Sequence, residues 1–483
     1  MILTIAMREL KDHVLSLRFY LAGLLCLLLV LVSALVLGEE QAMQREALEP
    51  FLATDTYRQA ADHANSNRLM NGGVFLTRPL PRLRSLVYGL DDLSLIAQVK
   101  GANHVLYLRS PLVANPVGQL FTSFDFLFTM GAMLSLVALV FTHDAVAGEA
   151  ESGTLRLALA LPVARPQLLV GKWLGAFAAL AAIAVPCLLL AAAVSTAHPW
   201  VDWRAADAQP LALVAAACLL YAAAFVSLGL LLSCLCRTGR AALIGSLSAW
   251  AALVWFVPGV GAYLGSVALP ANSPLTVEAN INRIRFEAEE RTWGEVSSFI
   301  EDNGWQEHEA ADWNLEWGTW SDAIPRLAGE LGEADRERLV AFSSEAMRQQ
   351  LEGMEQRAAQ LKSEHLQRRH RQVQLGSTLA CASPLGAFAL LLTDLSGTGP
   401  SAELRFRRAV ERFKGDLVEY LLGQMSERSL YDQVDATSFP YFTHASRGDA
   451  LGSSSVAYVL VLVLYGVLFF VGARLAFLKL EVR

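Results

Sequence analysis

Charge is scarce in this 483-residue chain: 18% of its residues are charged against 54% hydrophobic, and the mean hydropathy is +0.38. Soluble domains carry roughly a quarter charged residues, so the scarcity excludes an ordinary soluble globule and places the chain in the membrane class. There is no excess of basic residues. A formal net charge of -7 and a pI near 5.8 supply no positive field for a phosphate backbone, which excludes nucleic acid as a ligand class. Cysteine is sparse as well. Cys26, Cys187, Cys218, Cys234 and Cys236 fall within or at the ends of apolar runs, and with Cys381 they complete the set, leaving the polar loops without a disulfide framework. Cys234 and Cys236 lack both the four-ligand set and the Cys-x-x-Cys spacing of a zinc site, so no metal is expected.

Catalytic motifs are missing too. A P-loop needs Gly-x-x-x-x-Gly-Lys-Ser/Thr so that backbone amides cradle phosphates while the lysine neutralises them. Gly171-Lys172 is the nearest approach, and it has Pro166 in place of the first glycine and Trp173 in place of the hydroxyl residue. There is no His-Glu-x-x-His; Glu307-His308-Glu309 places its groups side by side, where a helix splays them around its circumference. No Gly-x-Ser-x-Gly nucleophile elbow occurs. Intramembrane charge is too sparse for the Asp, Glu or His relay of a proton- or ion-coupled transporter. No catalytic residue and no cofactor site of the chain's own is expected.

What is present is a set of apolar runs of about the 20 helical residues that a bilayer core requires. They lie at 18-37, 119-141, 168-196, 210-233, 241-268 and 453-474, and the fold class they imply is an all-α polytopic membrane protein with about six transmembrane helices. The first run is too long for a signal-peptide core and lacks a clear small-x-small cleavage site after it, so it reads as an uncleaved anchor. Short loops on the cytoplasmic side collect Lys and Arg. Arg8 and Lys11, then Arg156, Arg165 and Lys172, then Arg237 and Arg240, and finally Arg474, Lys479 and Arg483 all fall on one side, whereas 197-209 has one Arg against Asp202 and Asp207. The expected topology is N-in and C-in, with 475-483 a cytoplasmic tail. Pro258, Gly259 and Gly261 interrupt the fifth run, leaving open a kink or close helix packing.

That topology puts 38-118 and 269-452 outside the cell membrane as two lobes. The first reads as α+β or irregular around turns at Asn71-Gly72-Gly73 and Pro79-Leu80-Pro81, and the second as mainly helical. In the second, Leu351, Met354, Ala358, Leu361 and His365 recur at spacings of three and four, a stripe that predicts one helix packing on another. Trp293, Trp305, Trp313, Trp317 and Trp320 suit core packing of this lobe ahead of membrane anchoring or substrate stacking. The run Gly376 to Leu395 is apolar, but Pro384 and Gly386 interrupt it, so 376-399 reads as a re-entrant or interfacial hairpin. Residues 1-17 set Ile2, Ile5, Leu10, Val14 and Leu17 against Arg8, Glu9, Lys11 and Asp12, the pattern of a helix lying in the inner interface.

The most informative stretch is 142-167, which joins the second and third runs. Asp144, Glu149 and Glu151 open it, Ser152 and Thr154 offer helix caps, Leu155, Leu157, Leu159 and Leu161 follow, and Pro162 and Pro166 close it. Exposed apolar surface on a short helix marks a partner site, and a helix in a groove is one way for a soluble motor to push on a membrane domain.

Glu149-Ala-Glu-Ser-Gly-Thr-Leu155, then Leu161-Pro-Val-Ala-Arg165 and Gly171-Lys172, resemble the coupling segment of type-2 ABC exporter permeases. Ser383-Pro384-Leu385 through Thr393-Asp394-Leu395-Ser-Gly397-Thr-Gly399 is similar to the outer hairpin of the subfamily with enlarged external loops, which includes the permease of the nitrous-oxide-reductase maturation system. The resemblance covers the membrane part and not the two lobes, so it names no substrate. It implies a bacterial inner-membrane permease subunit, paired with a second permease subunit of the same or another kind. A separate cytoplasmic ABC ATPase would bind Mg-ATP and dock on Glu149, Glu151, Gly153, Thr154, Leu155 and Arg156. Arg165 and Lys172 would anchor the inner interface against lipid headgroups, and Ser383, Pro384, Thr393, Asp394, Gly397 and Gly399 would form the hairpin. The large lobes would also suit a periplasmic protein partner. The competing reading from another class is a membrane-anchored sensor or scaffold whose 269-452 segment binds a ligand or protein.

Overall fold

The computed structural model describes residues 1–52, 69, 73–78, 80–89, 94–100, 104–109, 125–160, 162–197, 208–270, 274–307, 320–427, 438–444 and 452–480. Asn71, Gly72 and Pro79 of the expected turns, Asp202 and Asp207, Leu161, and Trp313 and Trp317 lie outside the described residues.

Among the described residues, six helices are long and apolar enough to cross a membrane. A short helix α1, Ile2–Val14, precedes α2, Leu17–Leu52, whose first 30 residues form the first span. The second span opens with a helical turn at Phe126–Phe128, passes through a π-helical turn at Thr129–Met133 and continues as α3, Leu134–Thr142. Two short helices follow, α4 at Ala147–Ser152 and α5 at Thr154–Ala160. The third and fourth spans are α6, Arg165–Thr196, and α7, Ala208–Leu235. The fifth is α8, Gly239–Ala251, a second π-helical turn at Ala252–Phe256, and α9, Val257–Ala268. Beyond it come α10 (Pro274–Asp302), α11 (Trp320–Glu330), the 48-residue α12 (Glu333–Ala380), α13 (Pro384–Ser396) and α14 (Pro400–Glu427). The last span is α15, Ser453–Lys479.

At a rise of 1.5 Å per residue, α12 extends roughly 70 Å, and α10 runs beside it. Their far end is closed by Val296, Ile300, Trp305, Ile324, Leu327 and Leu339, so Trp293 and Trp305 are core residues of that tip. Nearer the bundle, Leu351, Met354 and Ala358 are buried as the stripe requires.

Three strands, β1 (Val74–Thr77), β2 (Ser94–Lys100) and β3 (His104–Arg109), form an antiparallel sheet in the order β1-β2-β3. Val74 pairs Val99, and Lys100 pairs His104. The inward faces of this sheet, Val74, Leu76, Ala97 and Val99, pack against Phe406, Val410, Phe413 and Leu417 of α14 and Leu351 of α12. Two polar segments far apart in sequence therefore share one core.

α13 has 13 residues, about 20 Å, too short for a bilayer core of about 30 Å. It is buried within the bundle. Phe388 stacks on Tyr221 of α7 with ring centroids 4.3 Å apart, and Leu391 and Leu392 join the main core. α12 reaches the same depth by packing on α9, where Gly261 and Gly265 leave no room for a side chain: a Cβ on either would lie within 3 Å of the α12 backbone at Leu379 or Gly376. Gly261 thus serves close packing, while Gly259 has open space around it.

Candidate coupling site

α4 and α5 sit at the end of the bundle opposite the sheet, and local chemistry sets their geometry. α4 ends at Gly153, whose φ of 78° lies in the left-handed region that glycine enters without a Cβ penalty. The turn is held by Ser152 Oγ, 2.9 Å from Thr154 Oγ1. The start of α4 is capped from another span: the backbone N–H groups of Val146 and Ala147 both donate to Ser233 Oγ of α7 at 3.0 Å.

Four further contacts clamp the segment to its neighbours. Lys172 of α6 donates to Glu149 and to Glu9 of α1, each at 2.7 Å. Glu151 accepts from the backbone N–H of Gly239, 2.9 Å away, at the N-terminus of α8, where a carboxylate satisfies free donors and the helix dipole. Arg18 of α2 pairs with Asp144 at 3.2 Å. Leu155 fills the bundle core.

α1 lies across the first turns of α6 because Gly171 and Gly175 let it: a Cβ on Gly171 would meet Ile5, and one on Gly175 would meet Glu9 and the α1 backbone. His13 stacks on Phe141 with centroids 5.1 Å apart. Burial lowers its pKa below the ordinary imidazole value, against the raising influence of Glu9 and Asp144.

Leu155, Lys172 and Glu9 sit in surroundings that local patterning does not indicate. Leu155 is 0% exposed and belongs to the chain's own core; the apolar side chain facing outward is Leu157, 72% exposed, because the left-handed Gly153 turns α5 by its own phase. The Lys172 side chain is 3% exposed and pairs with two carboxylates of the same chain. Glu9 is on the inward face of α1 and not among the solvated charges. Arg165 contacts the chain as well, donating to the carbonyls of Leu478 and Leu480 at the end of α15. Glu151, Gly153, Thr154 and Arg156 are exposed. Ser233, Gly239 and Arg18 had no local motif to reveal them, and Asp144 was visible as part of the acidic opening of the segment. Glu9 had one, a carboxylate spaced seven and four residues from the apolar Ile2 and Ile5, on the same helical face.

All six hairpin residues shape the ends of α13. Ser383 caps its N-terminus by accepting from Leu385 N–H at 3.0 Å and donates to the Leu253 carbonyl in the fifth span's π-turn. Pro384 is at the first helical position. Thr393 donates to the Ala389 carbonyl. Asp394 accepts from Ser401 and, at 3.0 Å, from Ser454 at the start of α15. Gly397 closes the helix at φ 72°, its carbonyl accepting from Arg78 at 2.9 Å, and Gly399 N–H donates to Thr393 O at 3.0 Å. The π-turn of the second span also faces α13, where a Cβ on Gly131 would meet Leu385 and Phe388, and the Gly131 carbonyl accepts from Tyr221 Oη of α7 at 2.7 Å and Ser135 Oγ at 2.6 Å.

The family model for the ABC-2 family transporter protein matches residues 3–482. The chain belongs to the ABC-2 transporter family. Over 43 residues it is 51% identical to a probable ABC transporter permease protein, NosY, of Pseudomonas aeruginosa, a match covering 9% of this chain and 16% of that relative. The chain is thus a multi-pass ABC transporter permease, the membrane component of such a system, and the ABC-2 assignment rests on nearly its whole length.

Proposed function

We propose that this permease subunit couples ATP hydrolysis by a separate ABC ATPase to export, or to mechanical force, across a bacterial inner membrane, working beside a second permease subunit. The observation that carries the proposal is the corner at Gly153. Its outward face presents Glu151, Ser152, Thr154, Arg156 and Leu157, while its back is tied to α1, α2, α6, α7 and α8 through Glu9, Arg18, Lys172, Ser233 and Gly239. A push on this corner reaches four spans and α1 through short polar contacts, which suits a lever driven by a motor bound in trans. The same end of the bundle carries Arg8, Lys11, Arg156, Arg165, Arg237, Arg240, Arg474 and Lys479, the charge bias of a cytoplasmic face, and that supports N-in and C-in. Mg-ATP belongs to the ATPase subunit. Substrate class is left to experiment.

The test is a detergent pull-down of the tagged chain with a candidate ABC ATPase from the same genome, followed by ATPase assay. The comparison is wild type against the doublet Thr154→Asp, Leu157→Glu, which places two carboxylates on the exposed face without entering the core. Copurification in wild type and release by the doublet support the proposal. An ATPase that never binds, or one indifferent to the doublet, removes it in favour of a membrane-anchored sensor or scaffold.

A further inference from the structure

The chain is acidic overall, yet at the lobe end two adjacent helices gather exposed cations. On α14, Arg405, Arg408 and Arg412 recur at intervals of three and four residues, which sets them on one helical face, and all three are exposed. Arg371 of α12 is exposed beside them. The two helices meet there, with Arg408 Nη2 3.4 Å from His370 Nδ1, so the cations form a continuous surface. Nearby carboxylates are engaged: Glu364 with Arg368 at 3.6 Å, and Glu403 with Arg407 at 2.7 Å and Arg78 at 3.4 Å. On this stretch of α14 Glu411 is half-buried, and Asp416, one turn beyond Arg412, is exposed. Two imidazoles beside these arginines have their pKa values lowered, first by burial and then by the neighbouring charge. Burial together with Arg369, Arg407 and Arg368 lowers the pKa of His365, whose Nδ1 is buried without a hydrogen-bond partner. Burial together with Arg78, Arg405 and Arg412 brings His444 down to about 4.

The height of this surface decides what it meets. α12 joins the bundle where Gly376 touches Gly265, three residues before α9 ends at Ala268. Arg371 is five residues above that contact, roughly 7 Å at 1.5 Å per residue. α14 starts beside the N-terminus of α15, where Asp394 binds Ser454, which puts Arg405 roughly 7 Å and Arg408 roughly 12 Å above the span ends. The headgroup layer of a bilayer is about 5–8 Å deep on each side, and long arginine side chains reach along it. Tyr263, 65% exposed at the same end of α9, is an aromatic of the kind that marks this layer.

We infer that Arg371, Arg405 and Arg408 form a binding face for the phosphate groups of anionic lipids in the leaflet at the lobe end of the spans, with Arg412 at its upper rim. The inference needs the spans to sit in a bilayer and does not depend on ATPase docking, so either can fail alone.

The test uses the full-length protein in nanodiscs of phosphatidylcholine with graded phosphatidylglycerol, with retained lipid counted by native mass spectrometry. Wild type is compared with the triple variant Arg371→Gln, Arg405→Gln, Arg408→Gln and with a control, Arg326→Gln, Arg336→Gln, Arg338→Gln, at the far tip. Wild type retains phosphatidylglycerol in preference by tenfold or more; the triple variant loses that preference and the control keeps it. Should the triple variant fail to fold, added salt must abolish the wild-type preference on its own. Retention unchanged in a folded triple variant, or insensitive to salt, overturns the inference. Displacement of the lipid by soluble glycerol phosphate would reassign the face to a free phosphorylated solute. A wild type with no anionic preference overturns it in favour of an acidic protein segment.

Discussion

Lys172 Nζ lies 2.7 Å from Glu9 Oε1 and 2.7 Å from Glu149 Oε1, so a single ammonium ties the N-terminal helix, the third span and the proposed coupling segment together. Replacing it by methionine keeps the stem's volume and leaves two carboxylates facing each other without a cation. Breaking a buried pair in this way costs about 3 kcal/mol or more. Lys172→Met should lower thermal stability by that order, and adding Glu9→Gln and Glu149→Gln should recover most of the loss. A triple variant as unstable as the single one would show that the lysine acts through packing alone.

Gly153 adopts φ 78° with nothing near its missing Cβ. Only the backbone conformation opposes a side chain there. Gly153→Ala should therefore cost about 1–2 kcal/mol, and Gly153→Asn distinctly less, because asparagine tolerates the left-handed region. Thermal melts of the two variants, with limited proteolysis across 147-160, report the difference; equal melts for both would show that the turn relaxes freely.

The same two residues show what the sequence could and could not reveal. Gly153 stands between capping residues and an apolar run, so local chemistry announced a helix break. The six spans were legible for a similar reason, since length and hydropathy are properties of contiguous residues. Lys172 was visible as a charge beside an apolar run, but its partners are 163 and 23 residues away, and no local pattern encodes them. Leu155 and Leu157 look alike in sequence; which one faces the core depends on the phase that Gly153 imposes. The shared core of the sheet with α14 was hidden too, because Leu76 and Phe406 meet only once the chain has crossed the bundle.

His444 stacks on Phe442 and meets Phe406 edge-on, facing Arg78, Arg405 and Arg412, with burial the largest cause of its low pKa of about 4. An unfolded histidine titrates near 6.5. Between those values the unfolded chain binds a proton that the folded chain refuses, so stability is complete above about pH 6.5 and falls as pH drops toward 4. His444→Phe should flatten that limb of the stability profile while leaving the neutral-pH melt nearly unchanged. An acid limb of undiminished slope in the variant would assign it to other groups.

The hairpin offers a sharper contrast, because a substitution at its turn and one in α7, which packs on it, differ in what opposes them. Gly386 packs its missing Cβ directly onto the Ala380 carbonyl, backbone against backbone, with no flexible side chain to yield. Tyr221→Phe keeps the ring that stacks on Phe388 and removes only one of two hydroxyls on the Gly131 carbonyl, Ser135 still donating at 2.6 Å. The tyrosine change should cost about 1 kcal/mol. Gly386→Ala should cost clearly more, about 2–3 kcal/mol as an overpacked site, since α13 must slide against both π-turns to admit one methyl. Melting curves of the two variants in one detergent decide it. If Gly386→Ala proves the milder of the two, the end of α12 gives way to α13, and the hairpin is a movable element held by its side-chain contacts more than by its turn.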